Sequence, residues 1–393
     1  MPTEDEMTIN ERRKYLKRMK PLYVKASKAE RGALLDQMHE VTGLHRKSLL
    51  RLLHSRTLER KPRQKQRESS YGAEVVQVIL LIWETLDYIC AERLTPVLLS
   101  TARHLHRLKV LRLTAEGEDQ LSHISRATVA RILSKYRSRT RRLPQKGPQR
   151  ANQLKREVPM KRIAWDTVEA GHFEVDLVYH CGESTLGEHI HTLQLIDVAT
   201  GWSERVAVLG RGQQAMEQAF RHVLSRLPFP VKEVHPDNGP EFFNAHLIRF
   251  WKEKVKGVHL SRSRPYHKND NRFVEQKNDS LVRQYFGTMR LETAQQCQQM
   301  NEIYELMWLY YNLFQPVLHL VEKTVVEGKT HRKWDQAQTP YTRLKATGAL
   351  SLHHQQHLDT LYEQTNPRQL RETIYERLAL LWQSVEKPTE QVA

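Results

Sequence analysis

The feature that most constrains the fold is a change of texture near residue 162. Beyond it, period-two apolar runs give way to strand- and helix-length segments in alternation. Residues 172–180 (His-Phe-Glu-Val-Asp-Leu-Val-Tyr-His), 190–197 and 202–209 read as three strands, with Thr200-Gly201 turning between the second and third, so they form an antiparallel meander. Residues 213–226 carry a helical period, 231–235 a fourth strand, 240–254 a helix and 258–261 a fifth short strand; helices follow from Asn271 and from Leu291. A meander followed by α/β units is a single layered domain. The predicted class is therefore α/β, a five-stranded mixed sheet with helices, preceded by all-α units.

Three acids lie where this order delivers them to one point. Asp176 is inside the first strand, Asp237 sits in Pro236-Asp-Asn-Gly-Pro-Glu-Phe242 after the fourth, and Glu275 falls in the first turns of a helix, in Asn269-Asp-Asn-Arg-Phe-Val-Glu-Gln-Lys-Asn278. Oxygen ligands from two strands and a helix suit a pair of hard divalent cations such as Mg²⁺, which keep open positions for phosphate. Metal-dependent phosphoryl transfer on nucleic acid is the chemistry this points to. Glu174 shares the face of Asp176 and competes with it as a ligand. Asp197 closes the second strand at a turn, where Asp caps backbone groups, and is expected to be structural.

Charge supports a polyanion partner. The chain of 393 residues has net charge +17; residues 1–162 hold 36 Lys+Arg against 17 Asp+Glu, and the remainder 26 against 28. The whole excess precedes the acid-bearing segment, as in a nucleic-acid-binding module joined to a catalytic one. No apolar run approaches the ~20 residues that span a bilayer, and the N-terminus lacks a signal-peptide pattern. Cys90, Cys181 and Cys297 have no pairing or zinc-site spacing, and His104 and His106 near Cys90 lack the further ligands. A reducing cytoplasmic location is expected.

Within the basic part, Ser27-Lys-Ala-Glu30 has capping-box spacing ahead of a helix. A turn containing Gly43 leads to a second helix, whose His45, Arg46, Lys47 and Ser48 would face a DNA groove while Leu49, Leu50, Leu52 and Leu53 pack inward. Arg60, Lys61, Arg63, Lys65 and Arg67 form a basic linker suited to a DNA backbone or minor groove. Residues 73–136 form a second helical unit in which Ser125, Arg126 and Thr128 open another candidate recognition helix. From 137 to 162 there are ten basic residues and one acid, Arg139, Arg141 and Arg142 among them, interrupted by prolines, which marks a second linker.

The acids and their motifs, His235-Pro-Asp-Asn-Gly-Pro-Glu-Phe-Phe-Asn244 and Ser263-Arg-Pro-Tyr-His-Lys-Asn-Asp-Asn-Arg-Phe-Val-Glu-Gln-Lys-Asn278, resemble the retroviral-integrase-like (DDE) catalytic core of bacterial insertion-sequence transposases. Sixty residues separate Asp176 from Asp237 and 37 separate Asp237 from Glu275. The resemblance spans roughly 160–315 and implies a ribonuclease-H-like fold. It also implies two Mg²⁺ or Mn²⁺ ions on Asp176, Asp237 and Glu275, with Lys268, Arg272 and Lys277 as phosphate contacts. The His-His-Cys-Cys module of retroviral integrases is missing, so helix-turn-helix units take its place, as in insertion sequences.

The expected domains are 1–60, a linker 61–72, 73–136, a linker 137–162, the core 163–316, and a mostly helical region 317–393. The expected activity is a DDE-type polynucleotidyl transferase that binds terminal inverted repeats as a dimer or larger, cleaves the 3′ ends and joins them to target double-stranded DNA in the bacterial nucleoid. The alternative is a catalytically silent DNA-binding regulator derived from such an enzyme.

Overall fold

The computed structural model describes residues 7–58, 71–136, 164, 167–237, 242, 247, 249–251, 255, 257–263, 271–326 and 329–386. The chain divides into two compact units, Met1–Ser70 and Tyr71–Ala393.

The first unit has three helices: α1 (Ile9–Lys25), α2 (Lys28–Thr42) and α3 (Arg46–His54). Local chemistry sets their ends. Thr8 with Glu11, and Ser27 with Glu30, form reciprocal capping boxes, and Gly43 ends α2 at φ +66°, where a side chain would be strained. Leu16, Tyr23, Leu35, Met38, Leu49, Leu53 and Leu58 make the core, with Leu50 and Leu52 partly buried against it.

In the second unit, helices α4 (Ala73–Thr85), α5 (Ala91–Leu94), α6 (Leu98–Arg107), α7 (Ala115–His123) and α8 (Arg126–Tyr136) precede the sheet strands β1 (His172–His180), β2 (Ile190–Asp197) and β3 (Ser203–Leu209). Then come α9 (Gln213–Arg226), β4 (Glu233–Pro236), β5 (His259–Leu260) and α10 (Arg272–Lys277), which runs on through a π-helical turn, Asn278–Arg283. The sheet order is β3-β2-β1-β4-β5. The first three strands are antiparallel, while β4 pairs parallel with β1 and β5 parallel with β4. This is the five-stranded mixed sheet of a ribonuclease-H-like fold. The predicted helix over 240–254 lies mostly outside the described residues.

Alternation along β1 divides two apolar cores. Phe173, Val175 and Leu177 face α9 with Met216, Phe220 and Val223. Val178 packs with α11 (Ala294–Leu309), through Met300, Ile303 and Tyr304, and with the last helix. Helices α4–α8 share the first of these cores, and no further division is drawn within 71–393. Polar contacts fasten them as well. Asp87 accepts from the hydroxyls of Tyr285 (3.0 Å) and Tyr375 (2.8 Å), and Tyr310 donates to the Thr85 carbonyl (2.7 Å).

The region expected to be mostly helical, 317–393, begins instead with a hairpin of β6 (Leu320–Val326) and β7 (Lys329–Trp334), followed by a helix, α12 (Pro340–Thr347). Charged and apolar residues mix along the hairpin's strands and a bulge interrupts the pairing, so no period-two signal marks it. Two further helices follow, α13 (Leu352–Gln364) and α14 (Pro367–Glu386).

Candidate active site

Strand β1 holds the centre of the site. Asp176 is half-buried on the face opposite Val175. Its carboxylate accepts from the Leu177 N–H (2.8 Å) and from the Asn278 side-chain amide (2.5 Å). Asp237 follows β4 directly. Val175 stands opposite Pro236, and the Asp237 N–H donates to the Val175 carbonyl (3.3 Å), so Asp176 and Asp237 leave adjacent strands at the same level.

Glu275 is exposed on α10, and three successive β1 residues hold that helix. Glu174 accepts, through one oxygen, from the backbone N–H of Phe273 (2.6 Å) and Val274 (3.0 Å). Asn271 donates to the Val175 carbonyl (2.9 Å), and Asn278 binds Asp176 as above. Glu174 thus caps a helix remote in sequence, satisfying N–H groups that helix starts leave open. Burial pushes its carboxyl up to about 8, against the two N–H groups that favour the anion. The sequence marks Glu174 only as a rival ligand to Asp176, not as a helix anchor, and gives Asn278 no role. The only sequence signals are their spacings: Glu174 two residues before Asp176, Asn278 one helical turn after Glu275.

Asp197 is structural, as expected: its two oxygens accept from Gly171 N–H (2.8 Å), His172 N–H (3.1 Å), Thr200 N–H (2.9 Å) and the Thr200 hydroxyl (2.6 Å). His104 is a core residue, bonded to the Thr365 carbonyl (2.9 Å) and packed on Phe314 and Tyr362. The three cysteines are free.

Among the described residues, no group of three or more His, Cys, Asp or Glu side chains is arranged to hold a metal ion. The donor chemistry at the site nevertheless fits a hard cation. Asp176 and Asp237 present carboxylates from neighbouring strands. The Asn278 Oδ1, on the amide that touches Asp176, is buried with no hydrogen-bond partner among the described residues.

The expected DNA contacts fall in several places. In the first unit, His45 caps α3 by accepting from the Lys47 N–H (3.3 Å), and Arg46 is drawn back onto α2 by Asp36 (3.3 Å) and the Gly32 carbonyl (3.2 Å). Lys47 is exposed and Ser48 half-buried. In the second unit, Ser125 and Thr128 cap α8, with the Thr128 N–H donating to the Ser125 hydroxyl (3.2 Å), while Arg126 lies 3.9 Å from Glu92. Arg272 and Lys277 flank Glu275 on α10, and the Lys277 ammonium sits 5.1 Å from the Tyr311 ring centre. Arg60, Lys61, Arg63, Lys65, Arg67, Arg139, Arg141, Arg142 and Lys268 lie outside the described residues.

No helix among the described residues is long and apolar enough to cross a membrane.

No protein-family model matches the chain. Solved structures similar to parts of it include the catalytic core domain of BIV integrase, 15% identical, covering 45% of this chain and 96% of that one at a TM-score of 0.30. Another is a chain of the simian T-cell lymphotropic virus intasome in complex with PP2A regulatory subunit B56 gamma, 13% identical, covering 60% and 86% at a TM-score of 0.32. The fold assignment rests on strand order and direction rather than on these similarities. The uncharacterized protein y4rM of Sinorhizobium fredii (strain NBRC 101917 / NGR234) is 34% identical over 322 residues, 82% of this chain and 91% of its own length. With identity of that extent, the chain belongs to the y4rM family.

Proposed function

We propose that the protein is a bacterial insertion-sequence transposase. It would bind the terminal inverted repeats of its element, cleave their 3′ ends and join them to target DNA. One observation carries this reading: Asp176 and Asp237 leave neighbouring parallel strands at one level, and the helix bearing Glu275 is tied to the same strand at Glu174, Val175 and Asp176.

Two Mg²⁺ or Mn²⁺ ions, held by Asp176, Asp237 and Glu275, would supply the charge stabilisation that in-line displacement at phosphorus needs. The chain's own part is positional. Glu174 and Asn271 hold the helix of Glu275, Asn278 orients the Asp176 carboxylate, and Arg272, Lys277 and Lys268 lie close enough in sequence to steady the phosphates. In joining, the freed 3′-hydroxyl forms the new phosphodiester and a target 3′-oxygen departs. No protein nucleophile is required. Helix-turn-helix reading by the α2–α3 and α7–α8 pairs would supply recognition, and pairing of two ends requires at least a dimer.

The engagement of the Asp176 carboxylate by Leu177 and Asn278 favours a second reading, a silent DNA-binding regulator. Strand transfer of a labelled element-end oligonucleotide in Mg²⁺ or Mn²⁺ separates the two. Joined product with the natural protein, and none with Asp176→Asn, Asp237→Asn or Glu275→Gln, supports the transposase. Specific binding to a verified end with neither cleavage nor joining supports the regulator.

A further inference from the structure

One side of α10 opens on a cavity of about 640 Å³, of which the reading above uses only Arg272 and Lys277. Its walls are α10, the β2–β3 turn, α5 and one face of the β6–β7 hairpin. Arg93, Arg272, Lys277, Lys323 and Arg332 line it, with Trp334. The only acid among its described lining residues is Asp197, whose oxygens already accept four hydrogen bonds. Arg93 is held in place by the Pro316 carbonyl (2.6 Å) and the Gln315 side chain (3.4 Å).

The hairpin register makes the charge excess more telling. Lys323 pairs directly with Arg332, and Leu320 with Trp334, so all four share the face that lines the cavity. Like charges directly opposite each other in an antiparallel pair are destabilising. Neither Lys323 nor Arg332 has an ion-pair or hydrogen-bond partner among the described residues. Two further cations stand across the cavity on α10. A neighbouring lining residue, His319, has its imidazole pushed down to about 4, chiefly by burial, with Arg343 and Lys277 lowering it and Asp335 opposing them. Trp334 is 49% exposed, an indole face left open beside the cations.

We infer that this cavity binds an unpaired nucleotide of a DNA strand, its phosphates on Lys323, Arg332, Arg272 and Lys277 and its base stacked on Trp334. The volume is that of a small-molecule site and admits one or two nucleotides, not a duplex. Cations that track a backbone beside an aromatic stacking platform are how proteins take single strands. The choice of a strand over a free nucleotide rests on the transposase reading, since α10 carries Glu275.

The test uses the full chain and fluorescence anisotropy with labelled duplexes, one blunt and one with a two-nucleotide unpaired end. The natural protein should prefer the tailed duplex by roughly tenfold, as for one stacked base. Trp334→Ala should remove most of that preference. Lys323→Gln with Arg332→Gln should remove it too, lower the salt slope for the tailed duplex by about two, and leave the thermal midpoint unchanged or raised, because the like-charge pair is gone. The midpoint also shows that each variant folds. A tail preference that is absent in the natural protein, or that survives both sets of substitutions, overturns the inference. So does displacement of the tail by dTTP at concentrations that would mark a free-nucleotide site. Failure of the transposase reading is seen elsewhere, as an absence of joining with verified ends.

Discussion

The unit spanning 71–393 holds two sets of carboxylates with opposite surroundings. Glu174, Asp197, Glu204 and Glu233 are buried and fastened by named donors. Glu204 accepts from the indole N–H of Trp202 (2.9 Å) and of Trp308 (2.6 Å), and one of its oxygens lies 3.7 Å from Arg226. Glu233 accepts from the Ser261 hydroxyl (2.6 Å) and meets His172 Nδ1 at 2.9 Å. Asp176 and Asp237 are only half-buried, and Glu275 is exposed. Burial raises the Glu204 carboxyl, Asp197 to about 6 and Glu174 to about 8. The lesson is a division of labour: buried acids join segments remote in sequence, while the accessible acids remain within reach of solvent and ligand.

The largest effect that sharpens this division is on activity. Asp176→Asn, Asp237→Asn and Glu275→Gln should each cost on the order of a thousandfold or more in joining. Their unfolding free energies should stay within about 1 kcal/mol of the natural protein, as for substitutions outside a core. Urea titration checks the second half. A member of this trio that destabilises by several kcal/mol would belong to the structural set, and the comparison would break there.

Next in size is Glu204→Ala. It strands two indole N–H groups and takes from Arg226 one of its two carboxylates, leaving Glu305 as the other. Each stranded donor costs about 1–3 kcal/mol. The urea midpoint should fall accordingly, with joining per folded molecule unchanged. Trp308→Phe, which removes one donor and one of the two fused rings, should cost less.

Glu174 stands on the boundary between the sets. Glu174→Ala leaves the N–H groups of Phe273 and Val274 without an acceptor, at about 1–3 kcal/mol. It should also lower joining per folded molecule, because the helix of Glu275 loses an anchor. Asp197→Ala should cost comparable stability and spare joining. Equal joining in the two variants would show that Glu174 is only a fold residue.

These two sets differ in how far they can be read from sequence. The meander strands fall within one residue of their period-two runs, and β4 within two. Ser27 with Glu30 and Asp197 at its turn are legible too, because their partners lie three residues away. Glu174 binds a helix 99 residues downstream, and Glu204 gathers donors from positions 202 and 308 and an ion pair from 226. No local pattern encodes such pairings. The β6–β7 hairpin is hidden for another reason: charged and apolar residues mix along its strands and a bulge interrupts the pairing, so its register comes from pairing and turn rather than from hydrophobic alternation. The docking of 73–136 escapes the sequence likewise, since Asp87 reaches Tyr285, Arg371 and Tyr375.

The smallest effect concerns the one buried acid whose partner titrates. His172 lies between Glu233 at 2.9 Å and Glu169 at 3.3 Å. The hydrogen bond to Glu233 raises its pKa above the usual 6.5, outweighing burial, and Glu169 adds to the rise. A cation favoured in the folded state stabilises fully below pH 6.5, and that contribution is lost as pH rises through the raised folded value. Hydrogen bonds to charged groups contribute about 1.5–3 kcal/mol, less here because Glu169 is exposed to solvent. His172→Asn should therefore cost more at a pH of about 5.5 than at about 8.5, measured by urea unfolding at both. Glu233→Gln should flatten the same difference, since it removes the main cause of the shift. Equal costs at both pH values would mean that His172 stays neutral beside Glu233.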